Sequence, residues 1–80
     1  MPSLRRMWGQ EAVTVFQSFG FGIISQRGSH MKLRRLSSDG IKQTLTVPNH
    51  RELDSGTLRA IVRQAARYIP EDQLRQHFYN

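Results

Sequence analysis

The order of patterned segments along this 80-residue chain predicts an α+β fold. The expected layout is α-β-β-β-α, with a three-stranded antiparallel sheet packed on two helices, plus a short C-terminal helix. Three observations carry it. Residues 10–19 and 55–68 place apolar side chains at helical spacing. Three stretches between them alternate or carry β-branched residues. Those stretches are joined by Gly28-Ser29 and by Ser37-Ser38-Asp39-Gly40, turn sequences that make antiparallel neighbours.

Taken in order, residues 1–8 form a basic lead-in with weak structural signals, expected to fray up to the point where Trp8 packs. In the first helix Ala12, Val13, Phe16 and Phe19 share a face, and Gly20 stops it at the position following the C-cap. Residues 21–27 form the first strand, with Ile23 and Ile24 at its centre. Gly28 opens a two-residue connection, where a type II′ turn requires φ > 0. The second strand, residues 30–36, alternates so that Met31 and Leu33 face one way and His30, Lys32 and Arg34 the other. The third, residues 41–47, turns Leu45 and Val47 inward and Thr44 and Thr46 outward before Pro48 ends it.

Asp54 or Ser55 caps the second helix, whose core stripe is Leu58, Ile61, Val62, Ala65 and Ile69. Arg59, Arg63 and Arg67 recur every four residues along one solvent edge. Pro70-Glu71-Asp72 starts a final helix anchored by Leu74 and Phe78. The sheet then has one face covered by helices and one wet face, which His30, Lys32, Arg34, Thr44 and Thr46 are placed to occupy.

A chain of this length makes a single domain, 1–80, and buries only about 60% of its unfolded surface, so its stability is small. There is no cysteine, which excludes a disulfide frame and a thiolate metal site. His30, His50 and His77 are scattered without metal-ligand spacing, and neither metal nor cofactor is expected. Twelve Lys and Arg against six Asp and Glu give a net charge of +6, which points to a polyanionic partner. Between positions 21 and 51 stand six of the bases and one acid, Asp39, so the middle of the chain carries the field. The longest apolar stretch is too short for a membrane span, and Gln10, Glu11 and Gln17 are too polar for a signal-peptide core. The expectation is a cytoplasmic protein with no membrane partner. The run Arg27-Gly28-Ser29-His30-Met31 resembles the scar of a cleaved tag, but it lies inside patterned structure and is read as coincidence.

The candidate site is built around His30. The ordinary reading of a lone histidine after a turn is a solvated side chain. Here a fixed hairpin position, an outward face and flanking Arg27, Lys32, Arg34 and Arg35 argue for more. A histidine beside a phosphate can take the proton of a ribose 2′-hydroxyl, while the cations hold the phosphate and offset developing charge. The arginine stripe would ordinarily be solvated charge, and in a chain this basic a phosphate-backbone contact is the reading preferred. The helix start at Ser55-Gly56-Thr57 offers free N–H groups to an anion. His50 is read as structural or a loop contact, and His77 as solvent-exposed. The phenylalanines are read as core.

Laid out in this way, the chain resembles the HicA family of small bacterial toxins. The matching pieces are Gly9-Gln10-Glu11-Ala12-Val13, Gly20-Phe21, Gln26-Arg27-Gly28-Ser29-His30, Asp39-Gly40, Thr46-Val47-Pro48 and Glu52-Leu53, followed by residues 56–65. They span roughly residues 9–66, leaving 67–80 as a C-terminal extension. Met31 stands where many members have a second histidine, and Asp54 where a lysine is common.

The resemblance implies a fold like that of double-stranded-RNA-binding domains and a metal-independent, mRNA-cleaving toxin. It also implies a HicB-type antitoxin that covers the active site. It assigns His30 as catalytic, and Arg27, Ser29, Lys32, Arg34, Thr57, Arg59 and Arg63 are the RNA-binding candidates beside it. The leading reading is a toxin endoribonuclease. The alternative is a non-catalytic RNA-binding module on the same fold, and a third is a pure protein-interaction domain.

Overall fold

The computed structural model describes residues 3–80; Met1 and Pro2, the start of the basic lead-in, lie outside the described residues. The elements run α1 (Gly9–Ser18), β1 (Gly22–Arg27), β2 (His30–Leu36), β3 (Lys42–Pro48), α2 (Ser55–Ala65) and α3 (Glu71–Phe78). The strands form one antiparallel sheet in the order β1-β2-β3. The α+β layout read from the sequence is therefore the fold. No helix among the described residues is long and apolar enough to cross a membrane.

Alternation in β2 and β3 decides which face the helices cover. Met31 pairs with Val47 and Leu33 with Leu45, and all four are essentially inaccessible. Against them pack Ala12, Val13 and Phe16 from α1, Leu58, Ile61, Val62 and Ala65 from α2, and Leu74 and Phe78 from α3. The core is thus one apolar layer between the sheet and the helices, with no buried polar or charged residue among those described.

The ends of α1 explain its placement. After Ser18 the amide of Gly20 donates to the Gln17 carbonyl and that of Phe21 to the Phe16 carbonyl. Those two bonds, with the Phe16 and Phe21 rings 6.2 Å apart, make a Schellman motif that turns the chain towards β1. At the other end the Glu11 carboxylate accepts from the Trp8 amide at 2.8 Å. There Gly9 lies so close to β3 that an added Cβ would fall 2.2 Å from the Pro48 carbonyl oxygen, so only glycine fits.

Several expectations are corrected. The lead-in is tied down: Leu4 bridges Tyr79, Met7 bridges Leu53, and Met7 is 2% exposed. Trp8 does not pack; it stays half exposed. The second helix stops at Ala65 rather than at Tyr68, and residues 66–68 turn so that Ile69 reaches the core. His77 is half-buried, edge-on to the Phe19 ring at 5.4 Å. The segment 67–80 supplies Ile69, Leu74 and Phe78 to the core, so the extension is integral to the fold.

The two sheet edges are treated differently. On β3 the Gln64 side chain accepts from the Thr46 amide and donates to the Thr46 carbonyl, occupying that stretch of edge as a neighbouring strand would. On β1 every residue is exposed, and the register shifts between Ile23 and Ser25, a bulge that absorbs Ile24.

Arg35 departs from its sequence role as a flanking cation. It lies on the helix-covered face opposite Gln43, where it donates to the carbonyls of Phe19 and Tyr68, each at 2.8 Å, and to Oε1 of Gln43. Its guanidinium also stacks over the Phe21 ring, 4.8 Å from the centroid. One planar cation therefore holds the last turn of α1 and the turn after α2 against the sheet, where the helix dipoles favour positive charge.

Two predictions follow from these contacts. Arg35→Met leaves two carbonyls short of a charged donor and is expected to lower unfolding free energy by about 2–3 kcal/mol, read from urea midpoints. An unchanged midpoint would mean water serves those carbonyls equally well. At the start of α2, Asp54 accepts from the Thr57 amide at 2.7 Å and from its hydroxyl at 3.1 Å. Those bonds, the amide first, hold the Asp54 carboxyl below its ordinary value. A lowered carboxyl stabilises the fold above the ordinary carboxylate pKa of about 4, and the effect fades as pH falls through the lowered value. Asp54→Ala should therefore depress Tm at pH 7, with the gap to the parent protein closing in acid. A gap independent of pH would contradict the cap's ionic character.

Candidate active site

The site begins with the Gly28-Ser29 connection. Gly28 takes φ +54°, and among the described residues only glycines have positive φ, so Ser29 returns to ordinary backbone, the φ pattern of a type II′ turn. The turn is braced on both sides: the Gln26 side chain donates to the Gly28 carbonyl at 3.2 Å, and the Asn49 amide donates to the Ser29 carbonyl. Gln10 of α1 reaches the Asn49 side chain at 3.3 Å. The turn that leads into His30, the first residue of β2, is thus anchored to the loop after β3 and through it to α1.

Register then aligns side chains on the wet face. Arg27 pairs with His30, which pairs with Pro48; Ser25 pairs with Lys32, which pairs with Thr46. The outcome is an open concavity of about 400 Å³ lined by Ser25, Arg27, His30, Lys32 and Thr46. The bulge contributes by absorbing Ile24, so that Gly22 rather than Ile23 stands opposite Arg34. Two cations and a histidine line the concavity with two hydroxyls and no carboxylate. That donor-rich lining suits an anion, and a phosphate oxygen can take hydrogen bonds from guanidinium, ammonium and hydroxyl at once.

The residues singled out in the sequence separate in space. Arg27, His30 and Lys32 meet in the concavity. Ser29 is half-buried in the turn, and Arg34, on the same face, donates to the Thr44 hydroxyl at 3.4 Å. Thr57 gives both its amide and its hydroxyl to Asp54, so a side-chain carboxylate already occupies the α2 start proposed for an anion. Arg59 and Arg63 line a different groove of about 200 Å³ with Val62, Ala66, Glu71 and Tyr79. His50 is exposed, and its backbone carbonyl accepts from the Gly9 amide at 2.9 Å, which makes it a loop contact.

The concavity adds Ser25 and Thr46, which the sequence does not single out as RNA-binding residues. Their signal was present: counting outward from the two-residue turn places Ser25 opposite Lys32, and alternation already turned Thr46 outward.

A family model described as the HicA toxin of bacterial toxin–antitoxin systems matches residues 9–66, most of the chain. No match to a curated protein or to a solved structure reaches significance. The matched span runs from Gly9, wedged against β3, through the His30 turn to the end of α2, and the chain belongs to the HicA family of toxins from bacterial toxin–antitoxin systems.

Proposed function

We propose that this toxin is a metal-independent endoribonuclease that cleaves mRNA in the cytoplasm, with His30 as its general base. The observation that carries the reading is the concavity itself: a histidine between Arg27 and Lys32, with Ser25 and Thr46 beside it and no acid in the lining. A strand of RNA lies across the wet face with one phosphate in the concavity. His30 takes the proton of the adjoining 2′-hydroxyl, and that oxygen attacks phosphorus. Arg27 and Lys32 hold the non-bridging oxygens and offset the charge that builds on them, and the two hydroxyls add hydrogen bonds. The 5′-oxygen leaves and is protonated, giving a 2′,3′-cyclic phosphate and a 5′-hydroxyl. The antitoxin of the pair, of HicB type and acidic, neutralises the toxin by covering this face.

A second reading, a non-catalytic RNA-binding module, is favoured by one observation. The His30 ring makes no hydrogen bond to another described residue, so none of those residues fixes its tautomer.

A cleavage assay separates the two. His30→Ala is expected to keep its fold, because His30 is exposed, and to lose about 10²- to 10⁴-fold in cleavage rate and its growth-arrest phenotype. A substrate with deoxyribose at the scissile position should resist the parent protein. Full activity of the variant would remove His30 from the chemistry, and cutting next to deoxyribose would exclude attack by the 2′-hydroxyl. Salt-sensitive binding with no cleavage of pure RNA would establish the module instead.

A further inference from the structure

Trp8 is the only tryptophan of the chain, and 49% of its surface is exposed. Chain fraying does not explain that exposure. Its neighbours Met7 and Gly9 are both buried, the Met7 carbonyl accepts from the Leu53 amide at 2.8 Å, and the Gly9 amide donates to the His50 carbonyl at 2.9 Å. The indole is a large apolar surface held outward by a pinned backbone. The Arg51 guanidinium stands over it, 5.6 Å from the ring centroid. Among the described residues Arg51 makes no ion pair, whereas Arg6 pairs with Glu52 at 3.4 Å and Glu11 is held by the Trp8 amide.

The patch adjoins the His30 end of the sheet. Gly9 lies against the Pro48 carbonyl, and Pro48 is the register partner of His30. Backbone spacings then put the Cα atoms of Trp8 and His30 within about 15 Å of each other, a short span of extended single strand. We infer that Trp8 and Arg51 form a subsite for one unpaired nucleobase of the RNA strand whose phosphate occupies the His30 concavity, a proposal that rests on the RNA-cleaving reading above. The base stacks on the exposed indole, and Arg51 pairs with the neighbouring phosphate. Stacking of this kind is tolerant of sequence, because every base offers a π-face, and it requires single-stranded RNA. An anionic strand also suits the cation better than an apolar protein surface would, since a buried Arg51 would need a carboxylate partner. Trp8 lies one residue before the span that matches the family, so it is a feature outside that match.

The single indole makes the test direct. A short 2′-O-methyl oligoadenylate, which cannot be cut through a 2′-hydroxyl, is titrated into the full chain while tryptophan fluorescence and the anisotropy of a labelled oligonucleotide are followed. An abasic ribose-phosphate oligomer of equal length serves as control. Stacking predicts quenching by the oligoadenylate alone. It also predicts a loss of roughly tenfold or more in oligoadenylate affinity for Trp8→Ala, recovery in Trp8→Phe, and unchanged affinity for the abasic chain. Binding of the oligoadenylate with unaltered emission and equal affinity in Trp8→Ala overturns the subsite while leaving the RNA-cleaving reading intact. Failure of both oligomers to bind overturns both readings. Emission that responds to the antitoxin and not to the oligoadenylate assigns Trp8 to the protein interface and overturns the subsite.

Discussion

The guanidinium of Arg35 is the interaction on which the arrangement of this small protein depends. A sheet of three strands and three short helices leaves helix C-termini with carbonyls that lack intrahelical partners. From one strand position Arg35 meets one of them, at Phe19, and the Tyr68 carbonyl in the turn after α2, while Gln43 takes its third contact and the Phe21 ring takes its face. A lysine could not do this, because it has one donor centre and no plane. With no disulfide available, a polar clamp at the core's rim and a dry apolar layer inside it are what hold the helices to the sheet.

That clamp is inseparable from the chemistry of the opposite face. β2 is the central strand, and its alternation sends Met31, Leu33 and Arg35 to the helices and His30, Lys32 and Arg34 to solvent. A slip of one residue would exchange the two sets, burying the site and exposing the core. The core therefore enforces the register that the site needs. The bulge in β1 and the Gln64 amide on β3 act at the two edges, the first by taking Ile24 out of alternation beside the concavity, the second by occupying the β3 edge at Thr46. The concavity lies between them, open to solvent and rich in donors.

Much of this was legible in the residues. Apolar spacing located α1, α2 and the Leu74–Phe78 anchor, and the Gly28-Ser29 turn fixed which strands pair and in which register. Alternation along β2 by itself places His30 and Lys32 on the wet face. The misreadings share a cause. Local composition speaks for Trp8, His77 and Arg35, yet each is decided by a partner distant in sequence. The sequence makes Trp8 the point where the frayed lead-in packs, but both of its neighbours are drawn into long-range pairs that turn it outward. At the start of α2 the cap expected from Asp54 forms, and it takes the Thr57 amide.

By itself, then, the sequence determined the element order, the hairpin register, the basic field and the outward histidine, because these follow from local periodicity, turn chemistry and charge. Tertiary structure alone decided which cations share the concavity and which do not. Arg27 and Lys32 reach it through strand pairing, Arg35 is held in the helix clamp, and Arg59 and Arg63 line a separate groove on the helices. The physical reason is that a cation's position along the chain sets its charge but not its neighbours. The neighbours are set by how the sheet and helices close on one core.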